Sequence, residues 1–298
     1  MTSTRQEVEI GYDISNEFFR LWLDERMHYT SAVFDKDHTT LEAAQRNKSR
    51  ILADFAEATP DSLIMDIGCG WGANLEYLAL DRKVKRTHGV TLSRAQADEI
   101  ATRKLPGVTV WCEDYADFKP KEKYDGLISI EMIDHLVSPA QQKEGQAINI
   151  YRKYFNTLAS WCKPGACFGF QAILRDRVPR TKKDLEDLKF TADVIFPGGL
   201  NPRIEELVTA CGQSWEIVQL HTRREDYGKT TAEWLRRFRL NEKKINAKWG
   251  QQKMSNGETV WNNYERYLST CVRASYGATS TTDIQSQIDC TCAGLSFR

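Results

Sequence analysis

The sequence predicts an α/β protein whose mainly parallel sheet is covered by helices on both faces. Short apolar runs alternate with helix-length segments between residues 61 and 175, which is typical of parallel strands joined by crossover helices. A glycine-rich turn directly follows the first apolar run. Apolar residues also recur at helical spacing outside this region, so we expect helical additions before and after the sheet.

The first predicted region, residues 1–60, is expected to be largely helical. Aromatic and apolar residues cluster at 18–23, and the stretch 41–55 repeats apolar residues at helical spacing. The first dozen residues show no such pattern.

The second region, residues 61–175, carries the predicted strands. They are residues 63–65, 87–92, 108–111, 127–130 and 167–174. In parallel sheets of this kind, ligands bind outside the carboxyl ends of the strands. We therefore expect the polar residues that end these strands to face a ligand crevice.

The third region, residues 176–298, is expected to form a helical lid and the last part of the core. The charged stretch 175–189 contains Leu185 and Leu188, and Phe190 follows it, which favours a helix lying over the site rather than a linker. A tryptophan- and arginine-rich helical part follows at 230–276.

The composition excludes several classes of protein. The 41 basic and 41 acidic residues give a formal net charge of zero, so no field-driven attraction to nucleic acid or anionic membrane is expected. The chain shows neither a signal-peptide pattern nor an apolar run long enough for stable membrane insertion, which predicts a cytoplasmic protein. Cys290 and Cys292 lack a second ligand pair, so we predict reduced thiols and no metal. The oligomeric state stays open, a homo-oligomer included.

The strongest motif is DIGCGWG at 66–72, which lies between a strand and a helix. Gly68 and Gly70 allow a tight turn and a close approach of the backbone to a ligand. A dinucleotide-binding turn needs an acid at the end of the second strand, and the stretch 88–96 has none. Asp66 instead precedes the first glycine, where it suits the cationic amino group of S-adenosylmethionine. Asp114 ends the third strand, where its carboxylate can accept from an adenine amino group.

The fourth strand runs into SIEMIDHL at 129–136. This stretch places Glu131, Asp134 and His135 at the carboxyl end of a strand that is otherwise apolar. We expect all three side chains to face the same crevice as the glycine turn.

With these motifs, the sequence resembles the family of cyclopropane fatty acid synthases and mycolic acid cyclopropane synthases over roughly residues 10 to 275. The resemblance rests on seven motifs in the family's order: YDISNEFFRLWLDERMHYTSAVF, DIGCGWG, GVTLSRAQ, EDYADF, SIEMIDHL, IFPGG and DYGKTTAEWLRRF. It implies a Rossmann-like class I methyltransferase fold, with residues 1–60 closing over the cofactor and S-adenosylmethionine as that cofactor.

The resemblance also implies a set of cofactor contacts. These are Tyr29, Thr30, Asp66, Gly68, Gly70, Thr91, Leu92, Gln96, Asp114, Tyr115 and Ile130. Gln96 would take the place of the missing ribose-binding acid, and Ile130 would lie beside the methyl-bearing sulfur.

At the reacting centre the match is weaker. In cyclopropane synthases a bicarbonate ion acts as base and is held by a Cys, a Glu, a His and a Tyr. The corresponding positions here are Ser31, Asp134, Gln171 and Tyr227. Only the tyrosine is kept, which argues against bicarbonate and therefore against ring closure.

The chemistry that remains is methylation of an alkene through a carbocation. We predict C-methylation of an apolar lipid or prenylated substrate without cyclopropane formation. The candidate bases are Glu131, Asp134, His135 and Tyr227, although His135 could equally serve as a structural hydrogen-bonding group. Ser31, Gln171 and Trp234 are predicted to line the substrate pocket. The aromatic candidates for stabilising the cation are Trp234, Phe238, Trp261, Tyr264, Tyr267 and Tyr276.

Two alternatives stay open. Coclaurine N-methyltransferases share the same resemblance, and in such an enzyme Asp134 and His135 would bind or deprotonate an amine. A protein that keeps the fold but has lost catalysis is the other alternative, and the intact glycine turn argues against it.

Overall fold

The computed structural model of the chain describes residues 14–175, 181–276 and 288–297, with the side chains of Tyr276 and 288–297 excepted. Its centre is a seven-stranded sheet in the order β3-β2-β1-β4-β5-β7-β6. The strands are β1 Leu63–Ile67, β2 Arg86–Thr91, β3 Val108–Cys112, β4 Tyr124–Ile130, β5 Cys162–Arg175, β6 Trp215–Thr222 and β7 Ile288–Phe297. Strands β1 to β5 are parallel, and β7 pairs antiparallel with both β5 and β6. The predicted α/β class is confirmed.

Helices connect most of the strands, and further helices lie before β1 and between β6 and β7. They are α1 Asn16–Arg20, α2 Leu41–Phe55, α3 Ala73–Glu76, α4 Arg94–Thr102, α5 Pro139–Lys143, α6 Ala147–Ser160, α7 Lys182–Phe190, α8 Ile204–Cys211, α9 Arg224–Leu240, α10 Glu242–Trp249 and α11 Val260–Tyr276. Short π-helical segments continue α3 at Tyr77–Asp81 and α7 at Thr191–Ile195, and a 3₁₀ turn spans Ile133–His135. Among the described helices, none has the length and apolarity needed to cross a bilayer.

Two glycines let helix α2 lie directly on the sheet. A Cβ at Gly169 would stand 2.2 Å from the carbonyl oxygen of Leu52, and one at Gly126 would stand 2.4 Å from that of Ala56. Only glycine tolerates such a close approach of two backbones. The contact fixes α2 against β4 and β5, and it places the segment that precedes α2 near the carboxyl ends of these strands.

A second apolar core joins the N-terminal segment to the C-terminal helices. The ring of Phe18 makes edge contacts with Phe238 at 6.1 Å, Trp249 at 5.5 Å and Tyr264 at 4.8 Å between ring centroids. Trp261 stacks on Phe238 at 4.5 Å. Phe238 and Tyr264, two aromatic candidates from the sequence, therefore pack mainly within this core. Tyr276, a third candidate, has its side chain outside the described residues, as do Cys290 and Cys292.

The sequence prediction was wrong in two places. Residues 21–40 were expected to be largely helical, but no regular helix lies there. Side-chain oxygen atoms accept hydrogen bonds from backbone N–H groups that a helix would use. Asp24 accepts from the backbone N–H of His28 at 2.8 Å and of Arg26 at 3.2 Å, which competes with helical bonding. Strands β6 and β7 were not predicted. Most of the side chains of β6 are exposed, and the sequence of β7 contains few consecutive apolar residues, so neither segment has the apolar run from which strands were predicted.

Candidate active site

The glycine turn begins where β1 ends and leaves open space on one side. Gly68, Gly70 and Gly72 have φ values of +73°, +53° and +77°, in the region that favours glycine. A Cβ at Gly68 would meet the side chain of Met132 at 2.7 Å, and one at Gly72 would meet Ile100 at 2.7 Å. A Cβ at Gly70 would find nothing within 4 Å. The turn is thus packed on both flanks and open at its middle glycine.

Asp66 lies buried at the foot of this turn. Asn74 Nδ2 donates to its carboxylate at 3.2 Å. Burial raises the pKa of Asp66 to about 7, and the hydrogen bond and the charge of Lys48 offset only part of that shift. A cationic amino group placed against Asp66 would favour its charged form. The residues present therefore fit the methionine end of S-adenosylmethionine.

Thr91 and Gln96 form a buried polar pair at the carboxyl end of β2. The Thr91 hydroxyl donates to Gln96 Oε1 at 2.7 Å. Helix α4 starts next to them, because Ser93 caps it by accepting from the backbone N–H of Gln96 at 3.3 Å. Leu92 lies between the pair and the cap, and its carbonyl accepts from Cys112 Sγ at 3.5 Å. The ends of β2 and β3 are thus held together beside the glycine turn.

The loop after β3 is shaped by Asp114. Its Oδ1 accepts from the backbone N–H of Ala116 at 2.9 Å, and this hydrogen bond stabilises the turn that begins at Asp114. The ring of Tyr115 packs edge-on against Tyr154 at 5.3 Å. The predicted adenine-side pair thus lies on an ordered turn.

Glu131 links three segments of the chain at the end of β4. Its backbone has φ +55°, in the left-handed region that residues other than glycine rarely adopt. Its Oε1 accepts from the backbone N–H of Ser31 at 2.8 Å and from Gln171 Nε2 at 2.8 Å. Gln171 also donates to the Ser31 carbonyl at 3.1 Å. Ile130, the last residue of β4, lies directly before this junction and in register with Gln171.

Asp134 lies buried on the 3₁₀ turn next to Glu131. Its Oδ2 accepts from the backbone N–H of Ile173 at 3.2 Å, while its Oδ1 is buried without a hydrogen-bond partner among the described residues. Burial, and then the charge of Glu131, raises the pKa of Asp134 well above its usual range. Both effects favour the protonated form of Asp134, which lies beside a second acid.

His135 and Tyr227 are also uncharged. Burial lowers the pKa of His135 to about 4, and its ring lies edge-on to Phe196 at 5.8 Å. Burial, followed by its contact with Cys271, raises the pKa of Tyr227 well above its usual range. The Tyr227 hydroxyl donates to Cys271 Sγ at 3.6 Å rather than to an acid. Neither group carries charge at neutral pH.

An aromatic wall stands beside these acids, and we define it as Trp22, Tyr29, Phe196, Trp234 and Tyr267. The ring of Tyr29 lies 5.2 Å from Trp22, 5.5 Å from Trp234 and 6.1 Å from Phe196. Phe196 lies 5.6 Å from Tyr267. Two links connect the wall to the acids. Phe196 contacts His135, which follows Asp134 in the chain, and Tyr29 lies two residues before Ser31, whose backbone N–H donates to Glu131. Of the predicted pocket residues, the structure thus brings together Ser31, Gln171 and Trp234.

Sequence reasoning missed three residues of this site. Trp22 and Phe196 lie within two of the seven motifs, but only the fold brings them to Tyr29. Lys48 is buried on α2, and its ammonium donates to the hydroxyl of Thr30 at 2.5 Å. A lysine on an amphipathic helix gives no sequence signal of such a role, since most lysines there are solvated.

The model of one protein family, described as mycolic acid cyclopropane synthetase, matches residues 1–283 of the chain. The chain is 28% identical to the cyclopropane-fatty-acyl-phospholipid synthase of Escherichia coli K12 over 276 residues, which is 92% of this chain and 64% of that protein. It is 27% identical to the S-adenosylmethionine-dependent methyltransferase UmaA of Mycobacterium tuberculosis over 282 residues, which is 89% of this chain and 91% of that one. The chain thus spans less than two thirds of the length of the E. coli enzyme.

Solved structures share the whole fold. The cyclopropane synthase MmaA2 of M. tuberculosis superposes with a TM-score of 0.85 at 24% identity, with 99% of both chains covered. Mycolic acid cyclopropane synthase CmaA1 complexed with SAH and CTAB gives a TM-score of 0.84 at 22% identity, again with 99% of both chains covered. Coclaurine N-methyltransferase gives 0.79 at 18% identity, covering 99% of this chain and 83% of that one.

These matches confirm the class I methyltransferase fold, and one of the relatives is named as an S-adenosylmethionine-dependent methyltransferase. The family model covers nearly the whole chain, including every site residue described above. The chain belongs to the mycolic acid cyclopropane synthetase family.

Proposed function

We propose that this protein is an S-adenosylmethionine-dependent C-methyltransferase that methylates an alkene of an apolar lipid or prenylated substrate without closing a cyclopropane ring. The observation that carries this proposal is the aromatic wall, which stands directly beside the acid-bearing end of β4. An apolar, aromatic surface next to a proton acceptor suits a reaction that forms a cation and then removes a proton from it.

The cofactor side of the site would be held by residues already in position. When bound, S-adenosylmethionine supplies an electrophilic methyl group on a sulfonium sulfur. Asp66 would take the amino group, the open face at Gly70 would take the methionine backbone, and the Thr91–Gln96 pair would bind the ribose. The Asp114 turn would border the adenine.

On the substrate side, the aromatic wall excludes water and stabilises positive charge. A desolvated aromatic face is worth about 2 kcal/mol to a cation, so two or three well-placed rings matter to a carbocation. The names of the bacterial relatives indicate lipid acyl substrates. The CmaA1 structure was solved with CTAB, an amphiphile with a long apolar chain, which supports an apolar acceptor.

The residues around Glu131 support a product without a ring. Ser31, Asp134 and Gln171 replace three of the four bicarbonate-holding groups that the family resemblance implies. An amide and a hydroxymethyl group in these places lack the thiol and imidazole of that set. We therefore propose that the cation loses a proton from a carbon next to the cationic centre, which leaves a methylated alkene.

The second candidate is N-methylation of a small amine. The shared fold with coclaurine N-methyltransferase and the acids beside the neutral His135 favour it, because such groups can accept the proton of an amine. Methyl transfer to an amine also leaves a cation, an ammonium, which the aromatic wall would stabilise as well. The alkene stays the first choice because the names of the bacterial relatives indicate lipid acyl substrates.

The experiment is a screen with methyl-labelled cofactor against unsaturated phospholipids, prenyl compounds and benzylic amines, read by mass spectrometry and NMR. The proposal predicts label on carbon in a product that keeps a double bond. Label on nitrogen would contradict it. The Asp66→Asn variant, assayed in parallel, controls for label transferred without the cofactor site.

A further inference from the structure

The carboxylate of Glu131 occupies the middle of the reacting centre. It is hydrogen-bonded to Ser31 and Gln171, and its charge raises the pKa of Asp134 and of Tyr227. These four residues are the positions at which the family resemblance places the ligands of a free bicarbonate ion. A carboxylate attached to the protein thus contacts two of these residues and acts on the other two through its charge.

The contacts of Glu131 favour its ionised form. A backbone N–H and an amide N–H both donate to Oε1 at 2.8 Å, and neither donor can accept a proton from it. Asp134, by contrast, receives one backbone donor, and burial raises its pKa. Of the two adjacent acids, Glu131 therefore has the surroundings that better stabilise a negative charge.

The backbone conformation of Glu131 suggests a functional role for its side chain. Its φ of +55° suits glycine, and a glutamate there stores strain. Strain of this kind persists where surrounding contacts impose it, and such residues cluster at functional sites. The contacts that impose it here are the two hydrogen bonds to Oε1 and a bond of 2.7 Å from the Glu131 backbone N–H to the Gln171 carbonyl.

We propose that the Glu131 carboxylate is the built-in base of this enzyme and makes the reaction independent of bicarbonate. This inference rests on the proposed function and names the group that completes it. A C–H bond next to the cationic carbon breaks, its electron pair becomes the new C=C bond, and the proton goes to the Glu131 carboxylate. A cation and a carboxylate thereby become a neutral alkene and a neutral carboxylic acid, which later returns the proton to solvent.

Two amide variants test the assignment. Glu131→Gln keeps the shape but removes the charge, and Asp134→Asn makes the same change in the adjacent acid. We expect Glu131→Gln to lower kcat by at least about 100-fold, the usual effect of losing a general base, with cofactor affinity by calorimetry within about threefold of the unmodified enzyme. Asp134→Asn should lower kcat less. The assignment is overturned if Glu131→Gln keeps its kcat, or if only Asp134→Asn loses it.

A glycine variant tests the link to bicarbonate. Glu131→Gly relieves the strain at φ +55° and opens space for a free anion. We expect the unmodified enzyme to work equally well in bicarbonate-free buffer, and Glu131→Gly to be inactive there but partly restored by bicarbonate or formate. Glu57→Gly is the matched control, because Glu57 also has a positive φ, +49°, and is exposed. Loss of activity in the unmodified enzyme on removal of bicarbonate would overturn the proposal.

A binding measurement needs no substrate and separates this inference from the proposed function. Labelled bicarbonate, followed by carbon NMR, should bind to Glu131→Gly and not to the unmodified protein. Binding to the unmodified protein, or none to a Glu131→Gly variant that still binds cofactor, would overturn the inference. Transfer of methyl to nitrogen would contradict the proposed function alone.

Discussion

Glu131 accepts a hydrogen bond of 2.8 Å from the backbone N–H of Ser31, 100 residues earlier in the chain. The next residue, Ala32, donates from its backbone to the hydroxyl of Thr230 on α9 at 3.0 Å. The N-terminal segment is thus fastened to the sheet by one bond and to the C-terminal helices by the next. The site is complete only when all three parts of the chain are folded together.

Thr230→Val should weaken the attachment of the N-terminal segment to α9, because it removes the hydrogen bond from Ala32. The valine leaves the backbone N–H of Ala32 buried without a partner, which costs about 1–3 kcal/mol. Thr231→Val is a matched control, since Thr231 is equally buried but donates only to carbonyls of its own helix. We expect Thr230→Val to lower the melting temperature and weaken cofactor binding more than Thr231→Val. Equal effects of the two variants on cofactor affinity would contradict the account.

Gly70→Ala should weaken cofactor binding with little direct clash in the free protein. The new Cβ meets no protein atom within 4 Å, but it enters the open space assigned to the cofactor. Gly165→Ala is the control, because its φ of +79° imposes the same backbone strain and its Cβ also meets nothing. Both variants should lose about 1 kcal/mol of stability. Calorimetry should show at least about a tenfold loss of cofactor affinity in Gly70→Ala alone.

The raised pKa of Asp66 predicts that the stability of the folded protein depends on pH. Its pKa is about 7 when folded and near 4 when unfolded, so the folded state holds the proton longer. The contribution of Asp66 to the free energy of unfolding should therefore fall as pH rises from about 4 to 7 and then stay constant, while Asp134, whose pKa is also raised, adds a separate decline. The Asp66 contribution is on the order of 4 kcal/mol. In denaturant titrations, Asp66→Asn should remove this part of the pH dependence and keep the rest, whereas an unchanged pH profile would show that the Asp66 carboxyl ionises normally.

The same group should control cofactor affinity. If the ionised carboxylate binds the cofactor's amino group, the affinity of the unmodified protein should rise with pH through about 7. Asp66→Asn should bind weakly at every pH. A flat affinity profile in the unmodified protein would place the amino group elsewhere.

Trp234→Leu should slow turnover through the aromatic wall. Removing one ring that faces a cation costs about 1.4 kcal/mol, a tenfold loss in kcat. Trp249→Leu is the control, because Trp249 is also buried but packs against Phe18 in the second core. Both variants should lower the melting temperature, and only Trp234→Leu should lower kcat. A similar loss of kcat in both would mean that turnover follows stability rather than the wall.

Much of the fold followed from the sequence because local patterns specify it. All five parallel strands lie where apolar runs predicted them, and the glycine turn joins β1 to α3 as expected. Strand β6 was not predicted because an exposed edge strand lacks a continuous apolar run. The irregular conformation between α1 and α2 was not predicted because it depends on side-chain hydrogen bonds, such as those of Asp24.

The site divides in the same way. The acids and histidine of SIEMIDHL were expected at a strand end and lie there. What the sequence could not supply is the bond between Glu131 and Ser31, since nothing local relates two residues on different segments. The raised pKa of Asp134 was equally hidden, because it depends on burial and on a neighbouring charge. These tertiary relationships distinguish Glu131, the proposed base, from the adjacent Asp134.

The fate of the transferred methyl group distinguishes proton loss from ring closure. The enzyme is supplied with cofactor carrying a fully deuterated methyl group, and the product of an unsaturated lipid or prenyl substrate is analysed by mass spectrometry and NMR. Proton loss from the substrate carbon predicts that the new methyl group keeps all of its deuterium and lies on carbon. A product that has lost one deuterium to ring closure would contradict the account.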